Sequence, residues 1–140
     1  MTAFNYSGPA RDAVPGGHDF ALRVSFSVSG TQPVDLLELR QGYPGLTVAA
    51  RRGLPYSVMP GQSAPLDVEY TVVDCAAAPP DAGLPYLDVT LRNARAIQTL
   101  SEILGDLYAA DLSRNLHIAC PESDIRTSVP KDTAPDGSVR

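Results

Sequence analysis

The sequence predicts an all-β fold, an immunoglobulin-like antiparallel β-sandwich of about seven strands with one short helix before the last strand. Short segments in which apolar and polar residues alternate recur along the 140 residues, and turns rich in Pro and Gly separate them. Hydrophobic residues make up 44% of the chain, which is enough to fill one core at this length. No apolar run approaches the roughly 18 residues that a membrane-spanning helix needs.

The strand on which this prediction depends most begins after a turn at Pro60 and leads to Cys75. Apolar residues occupy every second position, and Asp67, Glu69 and Thr71 fall between them. One face of this strand is therefore expected to lie in the core and the other in solvent. The inward set is Ala64, Leu66, Val68, Tyr70 and Val72.

The chain divides into three parts. Residues 1–18 contain prolines and glycines without a sustained period, which predicts an N-terminal arm or linker. Residues 19–121 carry the alternating segments and are expected to form the β-sandwich domain. Residues 122–140 are polar and are predicted to be a C-terminal tail.

The other alternating segments differ in detail. The second changes phase between Leu36 and Leu37, as a β-bulge requires. Pro55 places the fourth at a sheet edge, because proline cannot donate a ladder hydrogen bond. Turns at Pro and Gly separate neighbouring segments. In chain order, these predicted strands are residues 19–28, 34–40, 46–50, 54–58 and 86–92.

The period changes after these strands. Apolar residues between Ile97 and Tyr108 recur at helical spacing. Thr99 and Glu102 stand three residues apart, as in a capping box. We therefore expect a short helix over Leu100–Ala110.

The chain has two cysteines, Cys75 and Cys120. Each closes an alternating segment, because Leu116, Ile118 and Cys120 predict a last strand. Two strands running the same way could bring these ends together. A disulfide would close a loop of about 45 residues and stabilise the fold by about 4 kcal/mol on the chain-entropy model. It is favoured over two buried free thiols because the positions match and no other cysteine competes, and it indicates an oxidising compartment.

Residues with catalytic potential lack a recognisable setting. His18 and His117 have no Cys or Ser nucleophile nearby, and surface positions explain both. Asp67 and Glu69 share one strand face and could serve acid/base chemistry or hold calcium, but a solvent-facing strand gives the same pattern. No Gly-x-Ser-x-Gly, Gly-x-Gly-x-x-Gly or P-loop sequence occurs. We expect no catalytic residue, no cofactor and no metal ligand, and the net charge of −5 argues against a nucleic-acid partner.

Three tyrosines, Tyr43, Tyr56 and Tyr86, each lie beside a proline at a loop or edge position. Clustered at one end of the sandwich, they would form an adhesive patch for a partner. Packing at the sheet edge is the alternative.

The run from Met59 to Cys75, MPGQSAPLDVEYTVVDC, is followed by a Pro-rich loop, a strand, a short helix and HIACP. Over Phe20 to Pro121 this arrangement resembles the extracytoplasmic domains of small actinobacterial envelope proteins. Those proteins follow a twin-arginine signal or a single membrane anchor and lack an assigned activity. The resemblance implies a β-sandwich outside the membrane with a bridge between the two cysteines, and it implies no catalytic residues. The start departs from that pattern: its first residues form neither signal nor anchor, so an export signal is expected upstream of Met1 if the protein is exported.

These observations predict a non-enzymatic binding or spacer module of the bacterial cell envelope, secreted or anchored through a segment that this chain lacks. A protein partner or self-association is expected. The alternative is a structural subunit of a larger assembly, such as a phage particle or a surface array, whose terminal arms contact neighbours. An enzyme would need a pocket built from residues far apart in the sequence.

Overall fold

Two antiparallel four-stranded sheets form the computed structural model of the protein. The structure describes residues 2–78 and 86–121. The predicted all-β sandwich is confirmed, with eight strands in these ranges and one helix, α1, after the last strand. The elements are β1 Thr2–Arg11, β2 Asp19–Val28, β3 Val34–Arg40, β4 Leu46–Ala50, β5 Tyr56–Val58, β6 Ser63–Val72, β7 Tyr86–Arg92, β8 Ile97–Ile103 and α1 Asp106–Ala119.

The first sheet has the strand order β1-β2-β6-β4. β2 and β6 pair over nine successive residues without a register shift. The Phe20 ring stacks on Tyr70 at a centroid distance of 5.1 Å. The predicted inward face of β6 is confirmed, because Ala64 is half-buried and Leu66, Val68, Tyr70 and Val72 are buried.

The second sheet has the order β5-β3-β7-β8. The predicted bulge in β3 is confirmed by a register shift between Leu36 and Glu38 in its pairing with β7. The strand after Pro55 is the three-residue edge strand β5, also as predicted. β7 buries Leu87, Val89 and Leu91 against the core.

The prediction of an N-terminal arm was wrong for residues 2–11, which form β1 along the edge of the first sheet. Phe4 is buried and stacks on Phe26 at 4.5 Å, so the strand contributes to the core. The register shifts on either side of Gly8 and Pro9 accommodate the two residues that had predicted a linker. Residues 2–11 are thus paired within the chain, and the sandwich begins before residue 19.

The predicted helix and last strand were also misplaced. Residues 97–103 form β8, and the helix begins after Gly105, whose φ of 94° marks the break between the two elements. Leu112 and Leu116 are buried four residues apart on one helical face. The alternation that predicted a last strand over 116–120 belongs instead to the end of α1 and the residue that follows it. The predicted tail, residues 122–140, lies outside the described residues.

Candidate functional site

A disulfide joins Cys75 to Cys120, with Cα atoms 5.5 Å apart, as predicted. The predicted reason was wrong: Cys75 lies in the turn after β6, and Cys120 directly follows α1, where its N–H donates to the Leu116 carbonyl at 2.7 Å. The bridge therefore attaches the end of α1 to the first sheet. Cys120 is buried and Cys75 is half-buried.

Hydrogen bonds of tyrosine hydroxyl groups hold the first half of α1 against the first sheet. Tyr70 on β6 and Tyr108 on α1 are both fully buried, and their hydroxyl oxygens lie 2.7 Å apart. Tyr6 on β1 donates to Asp111 Oδ2 at 2.6 Å, and its ring meets Tyr108 edge-on. Burial raises the pKa of Tyr108 to about 12 and, with the bond to Asp111, raises that of Tyr6 above its usual range. Both hydroxyl groups therefore stay protonated and bonded in place.

The buried side-chain amide of Asn115 holds the second half of α1 against the residues that follow β1. Asn115 is fully buried, and its Oδ1 accepts the Ala13 N–H at 2.6 Å. Its Nδ2 donates to the Asp111 carbonyl at 2.8 Å and to Asp12 Oδ1 at 3.3 Å. The hydrogen bond from Arg114 lowers the pKa of Asp12 and keeps it charged. Since these groups satisfy one another, this end of the sandwich is a structural clamp on α1.

The residues considered for catalysis and metal binding are placed apart. His18 and His117 are both exposed, at opposite ends of the sequence. Asp67 pairs with Arg23 at 2.7 Å, and Glu69 pairs with Arg11 at 2.7 Å, on the outer face of the first sheet. Within residues 2–78 and 86–121, no group of three His, Cys, Asp or Glu side chains could hold a metal ion.

The three predicted patch tyrosines do not share one end of the sandwich. Tyr56 pairs with Leu36, which lies level with Leu91 of β7. Tyr86 begins β7 five residues away, about 17 Å along the strand. Tyr43 lies in the β3–β4 connection, packed against the core. Arg52 lies over the Tyr56 ring at 5.2 Å and donates to its hydroxyl at 3.0 Å, which holds that side chain at the β5 edge.

Among the described strands, four form the sheet edges, and three of these carry features that discourage pairing with another chain. β1 contains Pro9 and two register shifts, β4 is five residues long, and β5 is three residues long and follows Pro55. β8 has none of these features. It pairs with β7 over seven successive residues without a shift, and no described strand lies on its other side.

The side chains of β8 are apolar or uncharged, apart from Glu102. Ile97 and Ile103 are 62% and 69% exposed on the outer face, and Leu100 is 37% exposed on the inner face. We define the β8 edge as the backbone of residues 97–103 together with these side chains. This edge was not predicted from the sequence, because residues 100–103 were assigned to the helix expected over Leu100–Ala110. A turn residue, Asn93, was the sequence signal for a strand here. Its Oδ1 accepts the Arg95 and Ala96 N–H groups at 2.8 and 2.9 Å, and this turn closes the β7–β8 hairpin.

Comparisons with known proteins do not show a family for this chain. No protein-family model matches the chain, and no curated protein matches it. Among solved structures, the chain is similar to a secreted serine protease, VesC from Vibrio cholerae, with 10% identity and a TM-score of 0.36. That match covers 73% of this chain and 23% of the protease, so the chain spans about a quarter of that protein's length. In the described part of the chain, α1 is neither long nor apolar enough to cross a membrane.

Proposed function

We propose that this protein is a non-enzymatic, extracytoplasmic module of the bacterial cell envelope that binds an extended protein segment along the β8 edge. The observation that carries the proposal is a regular edge strand flanked by exposed apolar side chains. The free N–H and C=O groups of such an edge supply affinity for an added strand, and alternate side chains supply selectivity.

The disulfide supports the extracytoplasmic location, because structural disulfides persist in oxidising compartments. The chain's two cysteines are both in this bridge, so no free thiol remains. Mass spectrometry of the protein purified from its native cells, under non-reducing conditions, tests the location. We expect a mass two hydrogen atoms lighter than that of the reduced chain, and two free thiols would contradict export.

The placement of the perturbed titratable groups supports a non-enzymatic role. Perturbed groups often mark catalytic sites. Here Tyr70 and Tyr108 are buried and bond each other, while Asp67 has its pKa lowered by the hydrogen bond from Arg23 in a surface pair. Burial raises the pKa values of the two tyrosines, and the surface ion pair lowers that of Asp67, so these shifts have structural causes.

Binding at the β8 edge is tested with a fluorescent peptide of seven residues in which apolar and hydroxyl side chains alternate. We expect saturable binding, measured by polarisation, and slower amide exchange within residues 97–103. Ile103→Lys adds a charge to the edge and is expected to weaken binding about tenfold, because one apolar contact is lost.

Val73→Lys is the matched control. Val73 is 64% exposed, the substitution adds the same charge, and the residue lies outside the β8 edge. We expect it to bind the peptide like the unmodified protein. Equal weakening by both substitutions, or no binding to the unmodified chain, would contradict strand addition at β8.

A further inference from the structure

The residues of β8 read nearly the same in both directions. The strand is Ile97-Gln98-Thr99-Leu100-Ser101-Glu102-Ile103. From either end it runs through isoleucine, a long polar side chain and a small hydroxyl residue to Leu100 at the centre. Among the four described edge strands, this symmetry occurs on the one without a proline, a register shift or a shortened length.

We propose that the segment bound at the β8 edge is β8 of a second copy of this chain, paired antiparallel about a two-fold axis that passes through Leu100. This inference rests on the proposed function. The two second sheets would then continue as one sheet of eight strands. A two-fold contact of this kind uses the same patch on both copies, so a strand that pairs with itself must be complementary to its own reverse.

In this register each residue lies opposite a residue of similar shape and polarity. Ile97 lies opposite Ile103 of the second copy, and Thr99 lies opposite Ser101 of the second copy. These four positions are on the outer face, where the hydroxyl groups of Thr90 and Thr99 already bond at 3.0 Å. Leu100 meets Leu100 of the second copy on the inner face. Cross-strand apolar pairs and hydroxyl pairs each stabilise a sheet, so the pairing is favourable on both faces.

A shift of the register by two residues at either strand destroys this match. With the axis at Thr99, Leu100 lies opposite Gln98 of the second copy. With the axis at Ser101, Leu100 lies opposite Glu102 of the second copy. Both shifts place an apolar side chain against a polar one, and the side-chain alternation excludes a shift by one residue. The register centred on Leu100 is therefore the favoured one.

In this register the Glu102 carboxylate also gains a hydrogen-bond partner. Glu102 is half-buried on the inner face, and its carboxylate has no hydrogen bond or ion pair to the described residues. Its partial burial raises its pKa, which reflects an incompletely solvated carboxylate. The amide of Gln98 of the second copy is a donor in the position to bond it. Both copies gain this bond, and the two carboxylates are kept apart.

The contact is small. Seven facing residues exchange about six to eight backbone hydrogen bonds, since alternate pairs contribute two each. An interface of one strand on each side lies at the small end of specific protein contacts. We therefore expect a concentration-dependent dimer, with a mass that rises from one chain to two as the full-length protein is concentrated.

Single cysteine substitutions test where the two-fold axis of the dimer lies. Because both native cysteines are in the disulfide, Leu100→Cys carries one free thiol. Its Cα atoms would lie about 4.5–5.5 Å apart across the axis, within disulfide reach. Thr99→Cys and Ser101→Cys are the matched controls, because each would lie opposite the other position and two residues from its own copy. We expect Leu100→Cys to form the covalent dimer under mild oxidation at least about tenfold faster than either control.

A charge placed in register strengthens the pairing. Gln98→Lys puts an ammonium group opposite Glu102 of the second copy, twice in each dimer. Two opposite-charge cross-strand pairs are expected to tighten the dimer by about 2- to 30-fold, measured by sedimentation equilibrium. Ile103→Lys is expected to dissociate it, and Val73→Lys to leave it unchanged.

The outcomes separate the two proposals. A dimer with the fastest cross-linking at Thr99→Cys or Ser101→Cys overturns the register, and a dimer unaffected by Ile103→Lys overturns the use of β8. A monomer at all concentrations that still binds the peptide overturns self-pairing and leaves strand addition standing. A monomer in which the β8 N–H groups that point away from β7 are already protected from amide exchange overturns both proposals.

Discussion

The hydrogen bond between the Tyr70 and Tyr108 hydroxyl groups tests how α1 is held on the sandwich. Both side chains are fully buried, and the two oxygens lie 2.7 Å apart. Tyr70→Phe or Tyr108→Phe keeps a ring of nearly the same shape and removes one hydroxyl. The remaining hydroxyl then stays buried without this partner, which costs about 1–3 kcal/mol. Each single substitution is expected to lower the free energy of unfolding by this amount.

The double substitution distinguishes the hydrogen bond from the packing of the rings. When both hydroxyl groups are removed, no buried hydroxyl remains without a partner. The loss of unfolding free energy is therefore expected to be clearly smaller than the sum of the two single losses. The expected coupling energy is about 1–2 kcal/mol. Urea unfolding of the four proteins, with the disulfide intact, measures it. Tyr56→Phe serves as the control, because its hydroxyl accepts an exposed bond from Arg52, and a change within about 0.5 kcal/mol is expected.

The reasoning fails if the two single losses add. Additivity would mean that the hydroxyl groups act independently and that α1 is held by ring burial and the disulfide alone. A loss below about 0.5 kcal/mol for both single variants would likewise mean that neither hydroxyl is left unsatisfied.

Three further predictions concern the same clamp. Reduction of the Cys75–Cys120 bridge, which spans 45 residues, is expected to lower the free energy of unfolding by about 4 kcal/mol in urea titrations with and without reductant, and an unchanged midpoint would contradict this. Asn115→Leu removes the acceptor of the Ala13 N–H and is expected to cost about 1–3 kcal/mol, whereas unchanged stability would show that this N–H finds another partner. Because burial raises the pKa of Tyr108 from 10.0 to about 12, the stability that it contributes is fully present below pH 10 and is lost as pH rises through 12. Circular dichroism should therefore show unfolding above pH 10, and ionisation of all six tyrosines, measured by tyrosinate absorbance, in a fully folded protein would refute this.

The central strands could be predicted because each has one face in the core and one in solvent. β2 and β6 lie in the middle of the first sheet and pair over their whole length. Their alternation of apolar and polar residues follows directly from that position. The bulge at Leu36 and the edge strand after Pro55 were also predictable, because each is a local property of the chain.

The strands at two edges could not be predicted in this way. β8 exposes apolar residues on both faces, so its sequence shows no alternation between core and solvent. Ile97, Leu100 and Ile103 at intervals of three fit a helix equally well. In β1, Gly8 and Pro9 indicated a linker, and only the pairing with β2 shows that a sheet edge tolerates them.

The contacts that hold α1 were beyond the sequence for a related reason. Tyr70 and Tyr108 are separated by 38 residues, and Ala13 and Asn115 by 102. No local pattern marks such pairs, because their proximity depends on how the sheets stack. The cysteine pair was predictable only because the chain offers a single pairing.

The sequence by itself determined the fold class, the inward faces of the central strands and the pairing of the two cysteines, because each depends on local periodicity or on a choice without competitors. Only the tertiary structure decided where the helix lies, what holds it, and that β8 is an edge strand among the described residues. Those features arise from contacts between residues that are far apart in the sequence, so no single segment determines them.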